Sequence, residues 1–327
     1  MRRNDFPGPD HPDPADGPGA RPARVLMVRP AHFGYDEDAA ADNAFMRPAR
    51  RLSPVQVEDR AREEFDGLLA GLRAAGMHVE VVADSDSPVK PDAVFPNNWF
   101  STHADGTVVT YPMRPPPRRP ERLNGVVERL TRDYAVSRVI ALEPYEGQGR
   151  FLEGTGSLVL DRVARVAYAC RSLRTDEGVA RRWAGLLGYD LVLFDAVDRE
   201  GRPLYHTNVM LAVGRSEVIV CAESIAPASR ADVLERLRAG RRELVEIDPE
   251  QVGRFCGNAL ELRDGAGVRR WVMSSQAYSG FTAAQAGSLA RRGPIVHASL
   301  EAIEQLGGGS ARCMIAEVAL PPLPRVR

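Results

Sequence analysis

Short apolar runs alternate with helical stretches along almost the whole chain, and this rhythm limits the possible folds more than any single residue does. RVLMVRP, starting at residue 24, is followed by the helical EDRAREEFDGLLAGLRAAG and then by HVEVVAD. AVFPNNWFSTHADGTVVTYPM, residues 93–113, reads as two strands joined by a turn at Asp105-Gly106, with a helical NGVVERLTRDY and the strand RVIALEP behind it. The third stretch has GSLVLDRVARVAYAC, the helix TDEGVARRWAGLLG and the strand DLVLFDAV. A fourth has NVMLAVGRSEVIVC, a helix around ADVLERLRAG and ELVEIDP. The last has NALELRD, RRWVMSSQAY, helices over TAAQAGSLARR and LEAIEQL, and MIAEVAL. The pattern gives five successive strand-strand-helix-strand units of roughly 50 to 65 residues, a period that signals internal repetition. A ring of such units is the natural closure, and an irregular mixed α/β sheet is the alternative with the same periodicity.

Composition narrows the class of ligand. Lys plus Arg number 43 against 44 Asp plus Glu, for a formal charge of −1, so no basic field argues for nucleic acid or an anionic membrane. Small-molecule partners are expected, and oligomeric state is not readable. The cysteines at 170, 221, 256 and 313 contain no CxxC pair, which argues against a zinc site and against a disulfide framework. Residues 1–23 carry six prolines and three glycines and read as a disordered leader without a signal peptide's apolar core. Residues 24–327 are then expected to form one α/β domain. No run of about 18 apolar residues occurs, so a cytoplasmic location is expected.

The informative polar residues stand where units begin and strands meet loops. FPNNWFSTH places Asn97 and Asn98 beside Trp99, RFLEGTGSLVL places Glu153 ahead of two glycines, and LYHTNVML places His206 near Asn208. GGGSARC sets Gly307, Gly308 and Gly309 before Cys313. A nucleophile, a base and an acid are therefore available in Cys313, His206 and Glu153. Each also has a plainer reading. Cys313 opens an apolar strand and suits packing, His206 suits a hydrogen-bonded core position, Glu153 suits a cap, and Asn97 and Asn98 suit Asx turns. The glycine run suits either a helix C-cap or a mobile loop. Residues 114–122, RPPPRRPER, read as a solvated proline-rich loop.

The order of these segments resembles the guanidino-group modifying enzymes, a superfamily that includes arginine deiminases, dimethylarginine hydrolases and amidinotransferases. The resemblance spans residues 24–320 and implies a five-bladed α/β propeller, the pentein fold, with pseudo-fivefold ββαβ repeats. The citrulline-hydrolysing branch is the most similar, through VRPAHFGYD, FPNNWFSTHADGTVVTYPM, LEGTGSLVLDR, AYACRSLRTD, YHTNVML and MSSQAY. The resemblance implies that Cys313 is the nucleophile, His206 the general acid/base and Glu153 the supporting carboxylate, with no metal or cofactor. An imidazolium at His206 would stabilise the thiolate and protonate the departing amine. Arg174, in SLRT, matches the arginine that clamps an amino acid's α-carboxylate.

Two departures point to the substrate. Guanidine-acting members carry carboxylates where this chain has Asn98 and Asn208, and asparagine offers the donor and acceptor that a neutral ureido group needs. The expected reaction is hydrolysis of citrulline or a related compound to ornithine, ammonia and carbon dioxide. Guanidino hydrolysis, amidino transfer and a non-catalytic binding protein on the same fold stand as alternatives. Asp36 and Met46 replace the asparagine and glutamine usual in the citrulline branch, and Asp36 is a candidate for a substrate amine or guanidine.

Overall fold

The computed structural model describes residues 22–49 and 52–323, so residues 1–21 of the expected leader lie outside the described residues. Fifteen strands form five three-stranded sheets. The first sheet contains β1 (Arg24–Arg29) and β2 (His78–Ala83). The second contains β3 (Phe100–Thr102), β4 (Thr107–Thr110) and β5 (Arg138–Ala141), and the third β6 (Val159–Asp161), β7 (Val166–Cys170) and β8 (Asp190–Phe194). The fourth comprises β9 (Leu211–Val213), β10 (Glu217–Val220) and β11 (Glu243–Glu246). The fifth comprises β12 (Leu260–Arg263), β13 (Arg269–Ser274) and β14 (Val296–Ala298). The last strand, β15 (Ala316–Glu317), returns to the first sheet.

All five sheets share one topology. The middle strand runs antiparallel to the first and parallel to the third. A parallel pair needs a crossover, and one or two helices fill it each time. Wholly buried middle strands explain the apolar runs: VVT in β4, VAYAC in β7 and VIV in β10 are all buried. In the first crossover, the helix Pro54–Ala74 starts at Ser53, whose hydroxyl and Gln56 form a capping box. It buries Val57, Ala61, Phe65, Leu68 and Leu72 on one face, in a core shared with Val25 and Met27 of β1 and Val272 of β13.

Two expectations about strands change. MIAEVAL does not close the fifth unit: β15 pairs antiparallel with β1, Val25 opposite Glu317 and Leu26 opposite Ala316, so both ends of the repeat meet in one sheet. The fifth sheet is completed by β14, three residues long and too short to give a periodic signal. RRWVMSSQAY stops being strand at Ser274, whose hydroxyl accepts from Ala277 N and caps the helix Ser275–Gly280. The basic segment is also not a solvated loop. It winds into a 3-10 helix, Pro116–Leu123, that buries Arg118 and Glu121. Among the described residues no helix is long and apolar enough to cross a membrane.

Candidate active site

A tight turn precedes the first strand of each sheet. Asn98, Gly156, Asn208, Asn258 and Cys313 each lie two or three residues ahead of β3, β6, β9, β12 and β15. The topological repeat therefore places three asparagines, a glycine and a cysteine at five equivalent positions. All five are buried.

Cys313 Sγ faces two amides, with Asn258 Nδ2 at 3.3 Å and Asn208 Nδ2 at 3.5 Å. The glycine run that leads to it is packed. Gly307 ends the helix Glu301–Gly307, and Gly308 is its left-handed cap at φ +62°, donating to Glu304 O. Side chains at 307 or 309 would run into the ring of Phe95. The glycines thus serve as a C-cap and as room for an aromatic ring, where a mobile loop was the other expectation. Tyr205 Oη donates to Gly308 O at 2.5 Å, tying this turn to the residue before His206.

Glu153 and His206 form a buried pair, Oε2 to Nε2 2.9 Å. Arg174 Nη1 reaches the same oxygen at 3.3 Å, and Arg114 N donates to Oε1 at 2.9 Å. Burial alone would raise the Glu153 pKa, but Arg174 and the His206 bond outweigh it and hold the carboxyl well below the usual range. An ionised carboxylate only accepts, so Nε2 carries the proton and Nδ1 is left as the basic nitrogen. Nδ1 is turned toward Gly156, where a Cβ would lie 2.6 Å from it and 2.5 Å from Asn98 Nδ2. Only glycine fits between those two groups. Desolvation lowers the His206 pKa despite Glu153, and the ring's bond goes to Glu153 and not to Sγ.

The two asparagines expected to meet the substrate are oriented by their neighbours. Arg118 Nη1 donates to Asn98 Oδ1 at 2.7 Å, and its Nε and Nη2 bond Glu121 at 2.8 and 3.0 Å. Asn98 Nδ2 is left as a buried donor without a partner in the protein. In Asn208 the polarity reverses. Nδ2 lies against Cys313 and Oδ1 is the buried acceptor without a partner. Both side-chain atoms of Asn97 are likewise unpartnered, although its carbonyl accepts from Thr155 Oγ1 at 3.2 Å.

Two carboxylates border this set. Asp36 Oδ1 caps the short helix Glu37–Ala40, leaving Oδ2 without a partner. Asp92 Oδ1 is also unpartnered, and burial pushes its pKa up to about 6 against the pull of Arg118, with Asp36 adding to the rise. Arg174, expected as a carboxylate clamp, is engaged by a carboxylate of the chain itself. Asp42 Oδ1 takes Nε at 3.0 Å and Nη2 at 2.5 Å, and its Oδ2 lies 3.0 Å from Arg114 Nη1. Met46 and Asn43 pack over Gly308, where Asn43 Nδ2 donates to the carbonyl at 3.4 Å.

Sequence reasoning named Cys313, His206, Glu153, Asn98, Asn208, Arg174, Asn97 and Asp36, and missed Asp42, Asp92, Arg114, Arg118 and Asn258. Asn258 carried a readable signal, because NALEL repeats the position of NVML one unit later. Arg114 and Arg118 were hidden by the proline-rich, polar look of their segment. Among the described residues no group of three or more His, Cys, Asp or Glu is arranged to hold a metal ion.

No curated protein matches the chain. Solved structures share its mixed α/β pentein-like fold. The N-terminal domain of ArgZ, an arginine dihydrolase from the ornithine-ammonia cycle in cyanobacteria, in its product complex, superposes with a TM-score of 0.72 at 18% identity, covering 93% of this chain and 100% of that one. AgrE bound to L-arginine as an alanine variant gives 0.71 at 19%, covering 93% of this chain and 41% of the other. A dimethylarginine dimethylaminohydrolase variant, as its adduct with S-methyl-L-thiocitrulline, gives 0.62 at 13%, covering 90% and 99%. The family profile described as N,N dimethylarginine dimethylhydrolase, eukaryotic, matches residues 29–320, and the chain therefore belongs to that family of the guanidino-group modifying pentein superfamily.

Proposed function

We propose that this protein is a cysteine-dependent, cofactor-free hydrolase of the ureido group of citrulline or a close analogue, built as a single catalytic domain whose five sheets are the blades of a propeller. The observation that carries the reading is the opposite polarity of the two asparagines. Asn98 Nδ2 is a donor suited to the ureido oxygen, and Asn208 Oδ1 is an acceptor suited to a ureido N–H. A guanidinium carries donors only, so the fixed donor of Asn98 would face another donor, a mismatch of about 1–3 kcal/mol for a buried group.

In the reaction, Cys313 Sγ attacks the ureido carbon. The thiol proton passes to Nδ1 of His206, the C–S bond forms, one C–N bond breaks, and His206 delivers that proton to the departing nitrogen. Water, deprotonated at Nδ1 of His206, then cleaves the C–S bond and regenerates the thiol. The carbamate released by that hydrolysis breaks down, so one citrulline and one water give ornithine, ammonia and carbon dioxide. Glu153 holds the imidazole by its Nε2 throughout. Arg174 and Arg114 receive the substrate carboxylate when Asp42 gives way to it.

A second reading, hydrolysis of an arginine-like guanidinium, is favoured by the unpartnered oxygens of Asp36 and Asp92, which suit a cation. Measured kcat/KM for citrulline and arginine, with ammonia and the amine product both quantified, separates the two. The ureido reading expects citrulline to be preferred by at least about tenfold, one donor mismatch, and expects Cys313→Ala to be inert on both. A preference for arginine overturns it.

A further inference from the structure

We infer that Asn258 is a further catalytic residue, whose side-chain amide donates to Cys313 Sγ and holds the sulfur as the attacking thiolate. The inference rests on Cys313 being the nucleophile. It assigns to an amide the stabilising task for which the sequence suggested an imidazolium.

The orientation of the amide follows from its partners. Asn258 is wholly buried. Arg312 N, which can only donate, lies 3.1 Å from Oδ1, and the carbonyl of Asn208, which can only accept, lies 3.1 Å from Nδ2. Flipping the amide would set donor against donor and acceptor against acceptor at once. Nδ2 therefore has one proton on Asn208 O and directs the other to Sγ at 3.3 Å, while Oδ1 is farther from the sulfur, at 3.8 Å.

A thiolate at this position accepts from two amides, those of Asn258 and Asn208. A thiol would donate along the longer path to Oδ1. Hydrogen bonds to the charged form favour it, and this cradle favours the ionised sulfur. Asn258 also bonds the residue before the nucleophile and the carbonyl of a substrate-facing asparagine. One side chain thus sets the distance between Cys313 and Asn208.

The test reads the thiol and not the substrate, so its failure is distinct from failure of the ureido reading. Carbamidomethylation of Cys313 by iodoacetamide is followed by peptide mass across pH in the wild type, Asn258→Ala and Asn258→Ser. Cys170, Cys221 and Cys256, whose thiol pKa values burial pushes up, report on folding by staying unlabelled. Loss of the donor should slow carbamidomethylation of Cys313 at neutral pH roughly tenfold in Asn258→Ala, and by less in Asn258→Ser. For whichever substrate turns over, kcat should fall while KM stays within about twofold. Profiles that superimpose on the wild type overturn the inference, whatever happens to turnover. So does a rise in KM without a fall in kcat, or a failure of both variants to fold, which would make Asn258 a structural requirement.

Discussion

The turn ahead of β3 and the turn ahead of β9 have nearly the same backbone and opposite chemistry. Each is a three-residue 3-10 turn, Pro96–Asn98 and Thr207–Val209, and each leads into a three-residue strand. Each presents a buried asparagine to the same centre. At Asn98 the oxygen is claimed by Arg118 and the donor is left over. At Asn208 the nitrogen lies against Cys313 and the acceptor is left over. The repeat supplies position, and the particular neighbours of each asparagine supply polarity. Selectivity in this site should then depend on residues such as Arg118 as much as on the asparagines themselves.

The largest effect should come from removing the neighbour that orients Asn98. Arg118→Ala leaves Glu121 as a buried carboxylate without its bidentate partner, and the expected loss of stability is about 3–5 kcal/mol, read from urea denaturation. Asn98 becomes free to flip, so the preference for citrulline over arginine should shrink in whatever folds. The double variant Arg118→Leu with Glu121→Leu removes both charges and should recover most of the stability but not the preference. A double variant that regains full selectivity would show that Arg118 does not set the polarity of Asn98.

This dependence also explains which parts of the molecule were readable in the sequence. Buried middle strands such as β7 and β10 produce continuous apolar runs and were visible, and so was the five-part rhythm. The sheet that the C-terminal strand joins was not, because β15 pairs with residues nearly 300 positions away and periodicity carries no pairing information. Polar residues at the starts of units pointed to the centre. RPPPRRPER concealed Arg118, since a charged residue in a proline-rich stretch is buried only when a partner such as Glu121 is folded against it. The orientation of each amide was equally hidden, being fixed by residues distant in the sequence: Arg118 for Asn98, Cys313 for Asn208, and Arg312 with Asn208 for Asn258.

The two asparagines should respond differently to the same substitution. In Asn208→Asp the outward acceptor survives, while the N–H near Sγ is replaced by a charge beside the thiolate. Turnover of citrulline and of arginine should both fall, by roughly 10–100-fold, for loss of one charge-assisted hydrogen bond. In Asn98→Asp the bond to Arg118 is kept and becomes charge-assisted, so the structure tolerates the change. The donor aimed at the ureido oxygen becomes an acceptor. Citrulline should fall about tenfold, while arginine is unchanged or improved. Determining kcat/KM for both substrates in both variants checks this, and equal effects at the two positions would remove the distinction between the turns.

The smallest effect sharpens the comparison through pH. His206, two residues before Asn208, caps the second turn, whereas Pro96, two residues before Asn98, opens the first, whose preceding residue Phe95 donates its N–H to Asp92 O. Burial drives the two groups in opposite directions. The Asp92 pKa is raised to about 6 in the folded chain, so the folded state holds a proton that the unfolded chain has released, and the associated stability is lost as pH rises from about 4 through 6. The His206 pKa is lowered, so the unfolded chain binds the extra proton, and stability is lost as pH falls below about 6.5. Between about pH 5 and 6 the two slopes oppose each other. Relative to the wild type, Asp92→Asn should make stability rise more steeply with pH in that window, and His206→Asn should make it fall, each by no more than about 1.4 kcal/mol per pH unit, the limit for one proton. Urea midpoints at several pH values in this range measure both differences. Curves that move together for the two variants would mean that the turns, although differently charged, titrate as one unit.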